Sequence, residues 1–350
     1  MYNSSMKKDN IDSKVKEKVL GKKAYIYNVI ISILFVVLLF VYYKLFPPHT
    51  IAPIQSFDGT VSLFYTPDMG KTPVLDGIKN AKSSIDIEVY TFSDSDVLQE
   101  LVSAKKRGVR IRIILEENPY GGYSANKETK DKLSYYGIEN KWDNKAYNFT
   151  HSKFMIIDNR TGYIMTLNLT KSAFTKNREF GVIVNDENIV KELSKIFEAD
   201  WKRAPYNPTE GTPLVVSPEN SRQKLESLLK SATGEILIYA EEIQDREIMD
   251  ILKKRRAFGA DVKIIIADPQ NVKDNEVAIK ELKRYGIDIK YITRPFIHAK
   301  VIVVDRKYAF VGSENLSTNS LDNNREVGII LSSPEIIDKL RDVFFWDFAK

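Results

Sequence analysis

The sequence predicts an α/β fold made of two copies of one unit, preceded by a helix that crosses a membrane. Three observations support this prediction: a repeat at a constant offset of 147 residues, apolar strands that alternate with polar helices, and one uncharged run near the N-terminus. With 350 residues, the chain has room for about two domains. Its 43% hydrophobic and 28% charged residues are typical of a globular protein.

The N-terminal region predicts a basic cytoplasmic tail (1–23) and a transmembrane anchor (24–46). Within the anchor, 20 residues from Ala24 to Tyr43 carry no charge, a length that matches a hydrocarbon core of roughly 30 Å. Seven lysines precede this run and one follows closely, so the positive-inside rule places the N-terminus in the cytoplasm. We therefore expect a single-pass protein of the cell membrane with an extracytoplasmic catalytic region. A cleavable signal peptide and a buried helix are the alternatives.

The excess positive charge is confined to the N-terminal region. Residues 1–46 carry a net charge of +5, which is the net charge of the whole chain, so the remainder is neutral. This distribution argues against a general electrostatic attraction to nucleic acid, although it leaves a local basic cleft open. The chain has no cysteine, which excludes disulfides and thiolate chemistry.

The repeat is clearest in two pairs of segments. HSKFMIIDNRTGYIMTLNLT (151–170) aligns without gaps on HAKVIVVDRKYAFVGSENLS (298–317). NREFGVIV (177–184) aligns on NREVGIIL (324–331) at the same offset. The constant offset indicates a duplicated unit.

Upstream of these segments, both copies predict the same order of elements. An apolar strand (85–92; 235–242) leads into a helix, and a second strand (109–115; 262–267) leads into another. Such alternation predicts a sheet covered by helices in each copy.

These patterns predict one domain at 47–205 and a second at 206–350, packed pseudo-symmetrically. Residues 203–218 contain four prolines and predict a linker between the two copies.

Each copy contains one His-x-Lys motif, His151 with Lys153 and His298 with Lys300. In a strand, residues i and i+2 point to the same face, so each motif presents an imidazole and an ammonium together. The chain has only one other histidine, His49, next to the predicted anchor. A lone His-x-Lys carries little information, but two at matching places in a repeat predict a functional site.

Four further polar residues lie at equal distances from the histidine in both copies. The aspartate has the opposite parity on its strand, so we expect a structural role for it. A hydroxyl, an amide and a glutamate follow. These residues are Asp158, Thr166, Asn168 and Glu179 in the first copy and Asp305, Ser313, Asn315 and Glu326 in the second.

These residue types suit phosphoryl transfer. One imidazole can attack phosphorus while the other protonates the leaving alcohol. Cations, amides and hydroxyls can hold the non-bridging oxygens, so we expect neither metal nor cofactor. Because one copy supplies one imidazole, we expect the copies to share one site. The predicted catalytic residues are His151, His298, Lys153, Lys300, Asn168, Asn315, Glu179 and Glu326; the predicted phosphate-binding residues are Lys153, Lys300, Thr166, Ser313, Asn168 and Asn315.

H-x-K-x4-D followed by G-S-x-N, present twice, resembles the phospholipase D superfamily over residues 55–350. The first copy departs from this pattern, with Met165 and Thr166 where Gly-Ser is usual. The resemblance implies an α-β-α sandwich in each half, a site between the halves and a phosphohistidine intermediate. By similarity, His151 is the nucleophile, His298 is the general acid, and Glu179 and Glu326 orient the imidazoles.

The superfamily includes phospholipases, phosphatidyltransferases and nucleases. The anchor and the neutral body favour a phospholipid substrate, because tethering raises the effective concentration of lipid. We expect phospholipase D-like hydrolysis, with transfer to an alcohol as a side reaction. The alternatives are a metal-independent nuclease, a phosphatidyltransferase of the cardiolipin synthase type and a catalytically weak tethered binding protein. The oligomeric state is not predicted.

Overall fold

The computed structural model describes residues 22–23, 25–38, 54–120 and 125–350, in two compact units, Met1–Ala52 and Pro53–Lys350. In the first unit, residues 25–38 form a helix, α1, with exposed side chains. Among the described residues, no helix combines the length and the apolar character that a membrane span requires. Residues 24 and 39–46 of the predicted anchor lie outside the described part of the chain.

The second unit contains both copies of the repeat. The first copy comprises β1 (Val61–Thr66), α2 (Thr72–Asn80), β2 (Ser84–Val89), α3 (Ser95–Lys106), β3 (Arg110–Leu115), α4 (Ala125–Tyr135), β4 (Glu139–Trp142), β5 (Lys153–Ile157), β6 (Thr161–Met165), α5 (Lys171–Thr175), β7 (Asn177–Val184) and α6 (Glu187–Lys202).

The second copy repeats this order and adds one short strand, β12. It comprises β8 (Leu214–Ser217), α7 (Ser221–Lys230), β9 (Glu235–Ala240), α8 (Arg246–Ala257), β10 (Asp261–Ala267), α9 (Asn275–Arg284), β11 (Asp288–Ile292), β12 (Phe296–Ile297), β13 (Lys300–Val304), β14 (Tyr308–Gly312), α10 (Thr318–Asp322), β15 (Glu326–Leu331) and α11 (Pro334–Phe348).

The two sheets have equivalent strand orders. The first runs β4-β3-β2-β5-β6-β7-β1 and the second β11-β10-β9-β13-β14-β15-β8. In both, three parallel strands continue into four antiparallel ones, and β12 pairs additionally with β7. The predicted duplication of an α/β unit is therefore confirmed.

Local sequence explains how the helices begin after the central strands. Asp94 caps α3, because its carboxylate accepts hydrogen bonds from the main-chain nitrogens of Asp96 and Val97 at 3.0 and 3.1 Å. Asp245 caps α8 in the same way through Ile248 N at 3.0 Å. Both caps satisfy amides that a helix N-terminus leaves free. In both halves the helix therefore begins a few residues after the central strand ends.

The prediction of a linker over residues 203–218 is wrong at its C-terminal end. Leu214–Ser217 forms β8, a fully buried strand that pairs with β15. The prolines at 213 and 218 frame this strand instead of interrupting it, as prolines do at strand ends. Neither β8 nor β1, its counterpart, was predicted, because neither carries a motif.

One hydrophobic cluster joins the halves. It contains one face of each sheet together with buried residues of α6 and α11. At its centre, the rings of Phe180 in the first half and Tyr239 in the second lie 5.2 Å apart. Separate clusters bury the outer face of each sheet. The shared core holds the two His-x-Lys strands next to the same interface.

Candidate active site

Each histidine is positioned by the opposite half of the molecule. The main-chain nitrogen of His151 donates to Arg325 O of the second half at 2.8 Å. In the other direction, β12 pairs with β7 of the first half, and His298 N donates to Arg178 O at 3.3 Å. The chain thus crosses the interface just before each His-x-Lys strand. Both histidines consequently enter one cleft between the halves.

The imidazole–carboxylate pairs also cross. His151 Nδ1 lies 2.9 Å from Glu326 Oε2, and His298 Nδ1 lies 2.8 Å from Glu179 Oε1. Both glutamates are fully buried, whereas the imidazoles are 12% and 13% exposed. A carboxylate at Nδ1 fixes the ring orientation and directs Nε2 to the cleft. A glutamate for each histidine was expected; its origin in the opposite half was not.

Hydrogen bonds hold both carboxylates in place. Glu326 Oε1 accepts from Ser320 Oγ at 2.6 Å and from Asn324 Nδ2 at 3.1 Å. Glu179 accepts from Thr166 Oγ1 at 2.7 Å and from Asn177 Nδ2 at 3.2 Å. Asn177 and Asn324 open the repeated NRE segments, so the asparagine and the glutamate of each segment act together.

The two predicted phosphate-binding hydroxyls are fully buried. Thr166 Oγ1 donates to Glu179 and accepts from Phe180 N at 3.0 Å. Ser313 Oγ accepts from Val327 N at 3.0 Å. In this structure both hydroxyls link neighbouring strands, and their contact with a phosphate stays a prediction.

The two lysines lie under the histidines. Lys300 Nζ donates to Glu241 Oε2 at 2.5 Å and to His298 O at 2.7 Å. Lys153 is fully buried; its ammonium donates to His151 O and lies 5.3 Å from the centre of the Tyr90 ring. Burial lowers the pKa of Lys153 to about 7, and the charge of Lys300 adds to this effect. Nearby carboxylates oppose it.

The two asparagines of the motif differ in their contacts. Asn168 Oδ1 accepts from Thr91 N at 3.1 Å. Asn315 N donates to Ser320 Oγ at 2.9 Å, while its Oδ1 is buried and has no partner among the described residues. An unpartnered buried acceptor requires an explanation, and a role for either amide in binding substrate stays a prediction.

The two motif aspartates lie at the far ends of β5 and β13 from the histidines. Asp158 accepts from the main-chain nitrogens of residues 82–84 at 2.6 to 3.1 Å. Asp305 accepts from those of residues 233–235 at 2.7 to 2.8 Å. Each carboxylate therefore stabilises the turn that leads into a central strand.

Two residues near the histidines were missed in the sequence. Val89 pairs with Lys153 and Ala240 with Lys300, so the residues that follow, Tyr90 and Glu241, occupy equivalent places. The Tyr90 ring packs edge-on against His151 with centroids 4.5 Å apart. Glu241 Oε2 lies 3.4 Å from His298 Nε2. Their position at the end of each repeated strand was the only signal.

The arginines of the NRE segments, also missed, link the halves. Arg325 is fully buried; it pairs with Asp200 of the first half at 3.0 Å and donates to Ser217 O at 2.8 Å. Arg178 repeats this arrangement with Asp347 of the second half at 2.7 Å. Each arginine precedes the glutamate that orients a histidine, so these ion pairs fix that strand.

The departure of the first copy from Gly-Ser has a packing explanation. A Cβ on Gly312 would lie 2.4 Å from Glu314 Oε2, so the side chain of Glu314 occupies the space above this glycine. In the first copy, Met165 and Leu167 stand at these two places and are buried. The second half thus fills this space with Gly312 and Glu314, and the first half fills it with Met165 and Leu167.

The two imidazoles lie in different electrostatic environments. Burial lowers the pKa of His151 to about 4, and the charges of Lys153 and Lys300 add to this effect against Glu326. Burial alone would raise the pKa of Glu241, but the charges of His298 and Lys300 outweigh it and hold that pKa below its usual range. The cleft therefore combines a neutral imidazole, a second imidazole beside a carboxylate, and two lysines. Such groups are suited to phosphoryl transfer through histidine.

Comparison with known proteins identifies the family. The family described as "Cardiolipin synthase, PLD-like domain" matches residues 74–201 and again residues 225–348. The chain belongs to this family of the phospholipase D superfamily, as the two motifs predicted.

One relative agrees with this assignment, and two solved structures share the fold. The chain is 26% identical over 312 residues to cardiolipin synthase 2 of Bacillus anthracis; the match covers 76% of this chain and 60% of the relative's length. A phosphatidylserine synthase of Haemophilus influenzae has the same fold, with a TM-score of 0.60 and 13% identity over 81% of this chain and 84% of that one. A polyphosphate kinase of Porphyromonas gingivalis has a TM-score of 0.63 and 14% identity, over 81% of this chain and 50% of its own.

Proposed function

We propose that this protein is a phosphatidyltransferase of the cardiolipin synthase type, which transfers a phosphatidyl group from one phospholipid to the hydroxyl of another. The observation that carries this proposal is the pair of imidazoles, each with Nδ1 on a buried carboxylate of the opposite half and each next to a lysine. The matched family and the name of the Bacillus relative favour transfer over hydrolysis, which was the first expectation from sequence.

In the proposed first step, Nε2 of His151 attacks phosphorus and the bond to the leaving alcohol breaks. The proton on His298 Nε2 passes to the departing oxygen, which leaves a phosphatidyl-histidine and a neutral His298. In the second step, His298 takes the proton of the acceptor hydroxyl, whose oxygen bonds to phosphorus as the P–N bond breaks. Glu326 and Glu179 stabilise the imidazolium forms.

The remaining motif residues are proposed to bind the phosphate. Lys153 and Lys300 lie beside the imidazoles and supply positive charge where negative charge develops. Asn168 and Asn315 are proposed to donate from their amide groups. Thr166 and Ser313 support the site through the glutamates and the neighbouring strands, and reach phosphate only if their present hydrogen bonds open.

The test uses the purified full-length protein with phosphatidylglycerol vesicles in the presence of EDTA. Transfer predicts diphosphatidylglycerol and free glycerol in equal amounts, and His151→Ala and His298→Ala each lower this turnover by at least about a thousandfold. Phosphatidic acid as the main product would replace the proposal with hydrolysis. Intact lipid together with cleaved single-stranded DNA would replace it with a nuclease.

Hydrolysis is the second candidate, because the imidazoles are 12% and 13% exposed. Water can therefore reach a phosphohistidine in this cleft unless the acceptor lipid excludes it. The ratio of diphosphatidylglycerol to phosphatidic acid measures this competition directly.

We also propose that the N-terminal region tethers the enzyme to the cell membrane with the catalytic unit outside the cytoplasm. The uncharged run and the lysines before it support this orientation. The side chains of residues 25–38 are exposed and largely apolar, so they are available to lipid.

A further inference from the structure

The active site is built by a repeat but is not symmetric. Where the first half places Tyr90 after β2, the second half places Glu241 after β9. Tyr90 offers an aromatic edge to His151 and a ring face to Lys153. Glu241 instead offers a carboxylate to His298 and Lys300. Tyr90 and Glu241 therefore occupy equivalent places beside the two His-x-Lys pairs but differ in charge.

The exchange of Tyr90 for Glu241 changes how many N–H groups the neighbouring imidazole can donate to carboxylates. A neutral histidine has one N–H, whereas the protonated ring donates from both nitrogens. His298 faces a carboxylate at each nitrogen, Glu179 at Nδ1 (2.8 Å) and Glu241 at Nε2 (3.4 Å). His151 faces Glu326 at Nδ1, and no carboxylate of the described residues lies within ion-pair distance of its Nε2. His298 thus has a carboxylate beside each nitrogen, with the Lys300 ammonium also 3.4 Å from Nδ1, whereas His151 has a carboxylate beside Nδ1 alone.

We propose that Glu241 is the positioning residue that makes the two histidines chemically unequal: it holds a proton on Nε2 of His298, while Tyr90 leaves Nε2 of His151 with a free lone pair. This inference rests on the proposed two-step transfer. In the first step, the lone pair of His151 forms the P–N bond, and the proton beside Glu241 moves to the leaving alkoxide as the P–O bond breaks. In the second step, the proton of the acceptor hydroxyl returns to the same nitrogen.

The charges around Glu241 are compatible with this role. Lys300 is nearly buried and donates to the same Oε2 that faces His298. Lys153, His151 and Tyr90 are groups of the first half that lie within electrostatic range of Glu241. Because Lys300 compensates the carboxylate, Glu241 can sit in a phosphate-binding cleft without repelling the substrate outright.

The first experiment distinguishes a loss of proton donation by His298 from a nonspecific loss of activity. Glu241→Gln keeps the shape but removes the charge, and it is compared with wild type on phosphatidylglycerol and on the p-nitrophenyl ester of phosphatidic acid. We expect turnover of phosphatidylglycerol to fall at least about tenfold, while release of nitrophenolate, which leaves without a proton, falls less than about threefold. Equal losses on both substrates, or no loss, would overturn the proposal.

The neighbouring residue provides the matched control. Glu242 is partly buried and accepts from Gln244, with no contact to either histidine. Glu242→Gln should therefore keep the wild-type ratio between the two substrates.

The second experiment locates the covalent intermediate. In wild type, mass spectrometry after a neutral quench should place the phosphatidyl group on the peptide that contains His151. Glu241→Tyr, which copies the first half, should place it on both His151 and His298 peptides, provided that the variant keeps the wild-type melting temperature. An adduct confined to His151 in the folded variant would contradict the proposal.

Failure of the proposed function would be distinguishable. If wild type cleaves DNA and leaves lipid intact, transfer is wrong. The role of Glu241 is then decided on a thymidine p-nitrophenyl phosphate compared with DNA, by the same difference between leaving groups.

Discussion

At the scale of single residues, the low pKa values of His151 and Lys153 set the pH range of the proposed activity. Burial lowers their pKa values to about 4 and about 7. His151 therefore remains a free base until the pH falls through about 4, and Lys153 loses its charge as the pH rises through about 7.

We predict that kcat/KM for phosphatidylglycerol falls on the acid side near the pKa of His151 in the folded protein, and that KM rises as Lys153 is deprotonated. A pH profile at constant ionic strength measures both limbs. An acid limb near 6.5, the ordinary value for histidine, would contradict the burial argument.

Glu314 is a buried carboxyl group whose oxygens have no hydrogen-bond partner among the described residues. Burial raises its pKa well above the usual range, and the charge of Glu326 adds to this effect. The folded state therefore favours the protonated group. The stability that this preference contributes is present below the unfolded pKa and is lost as the pH rises through the folded pKa.

We predict that Glu314→Leu, which copies Leu167 of the first half, stabilises the protein by about 1–3 kcal/mol at neutral pH, because it removes an unpartnered polar group. Urea unfolding at about pH 5 and pH 8 should show a larger gain at the higher pH. Destabilisation at both pH values would indicate that Glu314 has a partner in solution.

At the scale of elements, strand β15 is held by Arg325, which is buried between the halves. Its removal would leave Asp200 and Glu219 without their cation. Such uncompensated buried charge typically costs about 3–5 kcal/mol.

We predict that Arg325→Met lowers the free energy of unfolding by about this amount. Arg306, which pairs with Asp338 on the surface at 2.9 Å, gives the control. Arg306→Met should change stability by at most about 1 kcal/mol. Similar losses for both variants, measured by urea unfolding, would show that the buried ion pairs do not fix the strand.

The elements also show where sequence reasoning succeeds. The His-x-Lys strands were predictable because they are apolar runs buried on both faces. The central strand β2 was predictable because its apolar residues alternate with polar ones. The glutamates were predictable because their spacing repeats. The crossing of the pairs was not, since Glu179 and Glu326 have the same spacing whichever histidine they contact. Glu241 was hidden for a related reason: the repeat draws attention to residues that match, and Glu241 matters because it does not match Tyr90.

At the scale of the whole molecule, the proposed membrane tether makes a separate prediction. Ile33 lies in the middle of the uncharged run and is exposed in α1. Ile33→Arg should shift the full-length protein from the membrane fraction to the soluble fraction, because a central arginine costs at least about 2.5 kcal/mol in a membrane span. Ser5→Arg, in the predicted cytoplasmic tail, is the control. Unchanged fractionation of both variants would show that this run is not the anchor.

The crossed imidazole–carboxylate pairs have a consequence while the chain is being synthesised. His151 precedes its carboxylate partner by 175 residues, so a ribosome makes the proposed nucleophile long before it makes Glu326. During that interval the imidazole lacks the group that orients it, and the opposite half that completes the cleft does not yet exist. A nascent or prematurely terminated chain therefore emerges among lipids and nucleic acids without an assembled active centre. Duplication with exchanged partners thus makes completion of synthesis a condition for the proposed catalysis.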